Sequence, residues 1–263
     1  MISGAFTTAV RTLTLLRVSG NEVENQADSL VFFPVVGALI GGLVTLALWL
    51  VGGLLGWQLG AGVAGVIVLT WVTGGLHLDG FGDAMDGLYG GRTRERMLEI
   101  MKDTQLGAFG VIAVCLALLV KTISLSQLAL VSQWRWVAVP FICSRMTHVL
   151  LAVILPYARN EGGTAQVIVQ KAKVWHLIAA LVLAGLGCMA LTGWAGLLIL
   201  MFSFLISFCL ARWMNRIFGG VTGDLLGMSS ELIECSLLFV LAAVLTSGNV
   251  PAWISYYQVL LNG

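Results

Sequence analysis

Runs of about 20 apolar residues, the length that crosses a hydrocarbon core at about 1.5 Å per helical residue, recur along the whole chain. Seven read as membrane spans, at 34–55, 59–78, 107–130, 135–156, 174–192, 194–213 and 235–247, the last of them short. Lipid offers backbone amides no water to bond, so segments of this length must satisfy themselves as helices. Composition agrees, with 59% hydrophobic and 10% charged residues among 263 and a mean hydropathy of +0.96. The expectation is an all-α, polytopic helical membrane protein forming one integral domain over residues 1–263, with its polar site at the cytoplasmic face. A last apolar stretch after Pro251, from Ala252 to Leu261, is either a partial eighth span or an interfacial helix.

Residues 1–21 carry Arg11 and Arg17 within an apolar pattern and lack a basic start and a small-residue cleavage site. That pattern fits an interfacial amphipathic helix better than a secretory signal. Cys115, Cys143, Cys188, Cys209 and Cys235 are scattered through apolar segments without CxxC spacing, which marks packing residues, not a zinc site or a disulfide framework. A net charge of +1 without a basic run excludes nucleic acid as a partner. Among the 32 glycines, Gly37–Gly41 and Gly52–Gly56–Gly60 keep the small-xxx-small spacing of close helix packing in lipid.

Charge sets the orientation. With a cytoplasmic N-terminus the loops 79–106, 158–173 and 214–234 face the cytoplasm, and 11 of 14 basic residues fall there. Arg135 falls outside, and Lys121 and Arg145 fall within spans. The positive-inside rule therefore favours this orientation. All 13 acidic residues, from Glu22 to Glu234, lie on the same face or at helix ends bordering it. Topology does not require that, because carboxylates contribute little to orientation. Either the opposite loops are too short to hold charge, or a function is located at the cytoplasmic surface.

The segment GGLHLDGFGDAMDG, residues 74–87, follows the second span directly. At about 100° per residue, Asp79, Asp83 and Asp86 fall at about 0°, 40° and −20°, on one narrow helix face. Three stacked carboxylates repel unless water, basic groups or a cation compensates, and hard oxygen donors select Mg²⁺, Mn²⁺ or Ca²⁺. The alternative is a solvated acidic helix end. Glu99 and Asp103 form a second acidic group around Lys102, one helical turn apart. Asp224, Glu231 and Glu234 form a third, on one face if a helix runs through Gly227. Glycine-rich backbone beside such helices can bring amide donors close to phosphate.

Arg92, Arg94, Arg96, Lys102, Arg145 and Arg159 are the basic residues available to hold a phosphate. Arg145 lies inside an apolar span, where a lone cation demands a partner or a polar cavity, so a ligand role and a salt-bridged structural role compete evenly. His77 sits off the carboxylate stripe and is a secondary candidate, ahead of His148 and His176.

The run GGLHLDGFGDAMDGLYGG, with RMLEIMKDTQLGAFG and GGVTGDLLGMSSELIE after it, resembles the cobalamin synthase family, adenosylcobinamide-GDP ribazoletransferase. FFPVVGALIGG near residue 32 and SRMTHVLLAVILPYAR near residue 144 are similar as well, so the resemblance covers most of the chain. Gln105 stands where the family often has arginine. The resemblance implies an enzyme of the prokaryotic inner membrane acting late in vitamin B12 assembly. There a ribose hydroxyl of α-ribazole, or of its 5′-phosphate, attacks the cobinamide-bound phosphorus of adenosylcobinamide-GDP, and GMP leaves. On that reading Asp79, Asp83 and Asp86 hold Mg²⁺ (or Mn²⁺), and Asp103 or one of the three takes the hydroxyl proton. Lys102, Arg92 and Arg145 neutralise the pyrophosphate, and Asp224 and Glu231 complete a second metal position or bind nucleotide. A homo-oligomer and contact with other enzymes of the pathway are left open.

Two other readings stand beside it. A CDP-alcohol phosphotransferase shares the DG…D…D arrangement but normally places Ala-Arg after the first Asp-Gly, where this chain has Gly82-Asp83. A divalent-cation transporter would need carboxylates near the midplane on broken helices, and the sequence suggests none deep in an apolar span.

Overall fold

The computed structural model describes residues 2–159, 162, 163 and 165–247. The expected residues Ala252–Leu261 lie outside them. Eleven α-helices follow in order among the described residues: α1 (Ile2–Leu13), α2 (Phe33–Leu48), α3 (Gln58–Thr73), α4 (Leu76–Gly90), α5 (Arg94–Ile100), α6 (Ala108–Leu130), α7 (Trp134–Ile154), α8 (Gln166–Lys171), α9 (Val174–Thr192), α10 (Trp194–Phe218) and α11 (Gly223–Thr246). A 3₁₀ segment, Gln26–Phe32, leads into α2, and a π-helical turn, Trp49–Leu54, prolongs it. No strand occurs among the described residues; a single bridge joins Tyr157 to Val221.

Six helical stretches are long and apolar enough to span a membrane: 26–54, α6, α7, α9, α10 and α11. α3, 16 residues and about 24 Å long, is enough for a seventh only when taken with α4, which turns away from it by 89°. The corner is made by Gly74 and Gly75, both left-handed at φ +64° and +69°, where a side chain would be strained. After this turn α4 packs against α11, α6 and α5.

The core is built around α7, in which every residue from Trp136 to Ala152 is buried. It packs against α2, α9, α10 and α11. A helix apolar nearly all round with no free face belongs in the middle of a bundle. The lipid side is supplied by its neighbours, where Ile112, Leu116, Leu119, Ile123, Met201 and Leu205 stand exposed.

Glycine spacing at 37 and 41 does what lipid packing asks of it. Gly37 lies against the Phe141 carbonyl, and a Cβ on Gly41 would come within 2.6 Å of the Ala138 Cα, so α2 and α7 touch backbone to backbone. The second stripe is corrected. Gly52 lies in the π-helical turn against Ala61, while Gly56 is a left-handed loop residue at φ +71° with open space around it.

A larger correction concerns the last span. It begins at Gly223, not 235, capped by the Thr222 side chain, which accepts from the Leu225 amide at 3.3 Å. Glu231 and Glu234 therefore belong to the transmembrane helix and not to a loop. They lowered the local hydropathy, but their charges are cancelled by residues of other helices.

Gly41→Leu should drive α2 off α7, an overpacking cost of about 1–3 kcal/mol. The thermal midpoint in detergent should fall by several degrees, while Gly42→Leu, which faces open space, should leave it unchanged.

Candidate active site

The three aspartates of α4 lie on a helix, as their spacing predicts, but they do three different things. Asp79 is exposed and lines a cavity of about 440 Å³. Asp83 is half-buried one turn on. Asp86 is buried and turned to the start of α6, where its carboxylate accepts from the amides of Gly107 at 2.6 Å and Gly110 at 2.9 Å. Those amides have no partner within their helix, so Asp86 serves as an N-terminal cap and not as the metal ligand expected of it.

Asp224, on the first turn of α11, lines the same cavity as Asp79. Two glycines permit this. A Cβ on Gly80 would sit 2.9 Å from the Asp224 Cα, and one on Gly227 would sit 3.0 Å from the His77 carbonyl. The glycines among and after the aspartates thus serve close packing: Gly82 faces Leu106 and Gly87 faces Met101. None is arranged as a phosphate cradle.

Arg159 is brought to Asp224 through backbone pairing. Val221 donates to the Pro156 carbonyl and Ala158 to the Val221 carbonyl, each at 2.9 Å, which sets Arg159 Nη2 2.6 Å from Asp224 Oδ2. Arg94 secures the same segment by donating to the Ala158 carbonyl at 3.1 Å. Arg92, Lys102 and Asp103 are exposed. Asp103 follows the end of α5 and accepts from the Gln105 amide at 3.1 Å, while Glu99 pairs with Arg96 at 2.7 Å, so the second acidic group does not join the cavity.

Behind the cavity lies a buried charge network. Lys121 of α6 holds Glu231 at 2.7 Å and Glu234 at 2.6 Å; Arg145 of α7 holds Glu234 at 2.8 Å and also donates to Ser144 and Ser230. Glu234 is about 16 Å along α11 from Gly223. Carboxylates do lie deep in an apolar span, against expectation, and each is neutralised by a cation. Arg145 and Glu231, expected among the substrate-binding residues, pair within this network and do not line the cavity.

Arg145 also reaches His77 Nδ1 at 3.3 Å. An arginine only donates, so Nδ1 accepts and the His77 proton sits on Nε2. His148 donates from Nε2 to the Leu226 carbonyl at 3.0 Å and stacks on His77 at 5.1 Å. Both imidazoles line the cavity, so His148 ranks with His77. His176 is elsewhere, bonded to Asp28 at 3.1 Å.

The remaining wall comes from segments that sequence patterns did not mark. Thr8, Arg11 and Thr12 of α1, with Glu22 and Gln26, close one side. Arg11 holds this loop by pairing with Glu22 at 3.1 Å and donating to the carbonyls of Val18 and Gly20. The amphipathic pattern identified the helix; only a tertiary contact could show that it covers a cavity.

Burial, Asp79, Asp224 and then Asp86 push the Asp83 carboxyl up to about 7. The cluster is short of positive charge, which a cation would supply. No group of three or more His, Cys, Asp or Glu side chains among the described residues is arranged to hold a metal ion. Two carboxylates are enough for Mg²⁺ when waters and substrate phosphates complete its shell. Asp79 and Asp224 fit that requirement, with Asp224 in the place expected of Asp86.

Removing one member of the network strands the others. Lys121→Met should cost on the order of 3–5 kcal/mol, read as a fall in thermal midpoint in lipid nanodiscs. Arg92→Ala, which removes an exposed side chain, should leave the midpoint unchanged.

The family profile described as cobalamin-5-phosphate synthase matches residues 5–242. An adenosylcobinamide-GDP ribazoletransferase of Chlorobaculum tepidum is 42% identical over 251 residues, covering 94% of this chain and 98% of its own. Its namesake from Chlorobaculum parvum is 42% identical over 245 residues, covering 92% and 96%. One from Desulforamulus reducens is 34% identical over 235 residues, covering 89% and 94%. No solved structure matches. With the profile spanning nearly the whole chain and relatives at this identity aligned over nearly their full length, the chain belongs to the cobalamin-5-phosphate synthase family.

Proposed function

We propose that this chain is an adenosylcobinamide-GDP ribazoletransferase whose reaction takes place at the mouth lined by Asp79 and Asp224, with Asp83 one turn from the first and Arg159 paired to the second. The observation that carries the reading is the meeting of Asp79 from α4 and Asp224 from α11 on one cavity, with a cation, Arg159, bound to the second.

Attack on a phosphoanhydride needs positioned reactants, neutralised charge and a proton acceptor. A ribose hydroxyl of α-ribazole, or of its 5′-phosphate, forms a bond to the cobinamide-bound phosphorus. The bond from that phosphorus to the oxygen bridging to GMP breaks, and GMP leaves with the electron pair. Asp83 takes the hydroxyl proton: Asp86 caps α6, Asp224 pairs with Arg159 and Asp79 is given to the metal, which leaves Asp83 for this role. Arg159 neutralises phosphate oxygens. Asp79 and Asp224 would hold Mg²⁺, which when bound screens the pyrophosphate charge.

The setting proposed is the prokaryotic inner membrane with a cytoplasmic N-terminus, supported by the distribution of basic residues. Lys102, Arg92 and Asp103 are not needed at the mouth. The exposed loop that carries them suits contact with the large corrinoid better than catalysis.

The test is GMP release from adenosylcobinamide-GDP and α-ribazole 5′-phosphate by protein in nanodiscs, with Mg²⁺ or with chelator. Wild type should release GMP only with Mg²⁺, and Asp83→Asn should lose about 100-fold or more in kcat. Asp79→Asn and Asp224→Asn should raise the Mg²⁺ concentration needed for half-maximal rate. Metal-independent release, or full turnover by Asp83→Asn, would overturn the assignment; no release at all would direct attention to CDP-linked substrates.

A further inference from the structure

The cavity has two chemically distinct ends. Its mouth is charged, with Arg11, Glu22 and Asp79 exposed and Asp224 half-buried. Its floor is buried and lined largely by carbon and flat rings, Leu13, Leu30, Phe33, Ala152, His77 and His148, together with Thr8, whose hydroxyl accepts from the Val23 amide. Phe33 meets His148 edge to face at 6.3 Å, and His148 stacks on His77. Both imidazoles have a hydrogen bond fixing one ring nitrogen, His77 through Arg145 and His148 through the Leu226 carbonyl.

We propose that this cavity is the binding pocket of the smaller substrate, a benzimidazole riboside, with the base on the floor and the ribose at the carboxylate mouth. The proposal rests on the ribazoletransferase reading above. Three physical arguments select this occupant. A volume of about 440 Å³ accepts a nucleoside or its phosphate and is too small for a corrin ring with its amide side chains. The corrinoid therefore stays outside, presenting only its pyrophosphate to the mouth.

The second argument concerns the base. A benzimidazole is an apolar bicyclic ring with no donor edge once its nitrogen is glycosylated, so it loses little by entering a carbon-lined floor and can stack on rings there. A guanine in the same place would bury a Watson–Crick edge of donors and an acceptor where each imidazole already has one ring nitrogen bonded, leaving too few partners to offset the cost. The third concerns direction. With the base inward, the ribose hydroxyls emerge beside Asp79 and, one turn on, Asp83, where the attacking oxygen is needed.

Equilibrium dialysis of labelled α-ribazole against wild-type protein in nanodiscs, without corrinoid, should give saturable binding that unlabelled GMP does not displace. Two variants fill the cavity from opposite sides, Ala152→Phe on the floor and Thr12→Trp on the wall of α1. Each should raise the KM for α-ribazole by about tenfold or more while the KM for adenosylcobinamide-GDP stays within about twofold. The kcat should be recovered at saturating α-ribazole, which a misfolded variant would not show. The half-buried Thr12 keeps the test valid should Ala152→Phe fail to fold.

Displacement of α-ribazole by GMP, or a rise in KM for the nucleotide-linked corrinoid alone, would overturn the assignment. So would unchanged KM values in both variants. Binding of α-ribazole without any GMP release would instead sink the catalytic reading and leave the pocket standing.

Discussion

Two cations and two carboxylates meet in the interior of this bundle, and the placement of its site depends on them. Lys121, Arg145, Glu231 and Glu234 come from three helices and lie almost wholly out of contact with solvent. Any one of them alone would be expensive in lipid. Together they can be satisfied in only one register of α6, α7 and α11, because shifting any helix by a turn would separate charges now 2.6–2.8 Å apart. That register sets where α11 begins and hence where Asp224 stands. Through Arg145 it also orients His77, so the network reaches the floor of the cavity.

Close backbone contact is the second constraint. Gly37 and Gly41 bring α2 onto α7, and Gly80 and Gly227 bring α4 onto α11. Carbon packing in lipid gains little from the hydrophobic effect, so helices associate where small residues let their backbones approach. The same device that stabilises the bundle at its centre assembles the carboxylates at its end. A methyl group at either of the second pair would separate Asp79 from Asp224.

The spans, the acidic helix and the small-residue seam at 37–41 were legible in the sequence because each is a local pattern with its own period. The start of α11 was not. Glu231 and Glu234 look like loop residues until Lys121, 113 positions from Glu234, is seen beside them. Asp86 looked like a third ligand because spacing places its Cβ but does not reveal that α6 begins beside it and needs a cap. For Arg145 the span position alone fits a ligand and a structural cation equally, and its partners Glu234, Ser144 and Ser230 make it structural. The wall contributed by α1 and Glu22 left no trace in the pattern, since an amphipathic helix looks the same whether its apolar face meets lipid or covers a cavity.

The account stands or falls on whether the buried charges act as one unit. A double-mutant cycle of Lys121→Met and Glu234→Gln, read by thermal unfolding in nanodiscs, measures this directly. The two effects should fail to add, by about 1–3 kcal/mol, with the double variant less damaged than the sum of the single ones. Strict additivity would mean that each residue contributes on its own, and that the register of α11, and with it the meeting of Asp79 and Asp224, is set by something else.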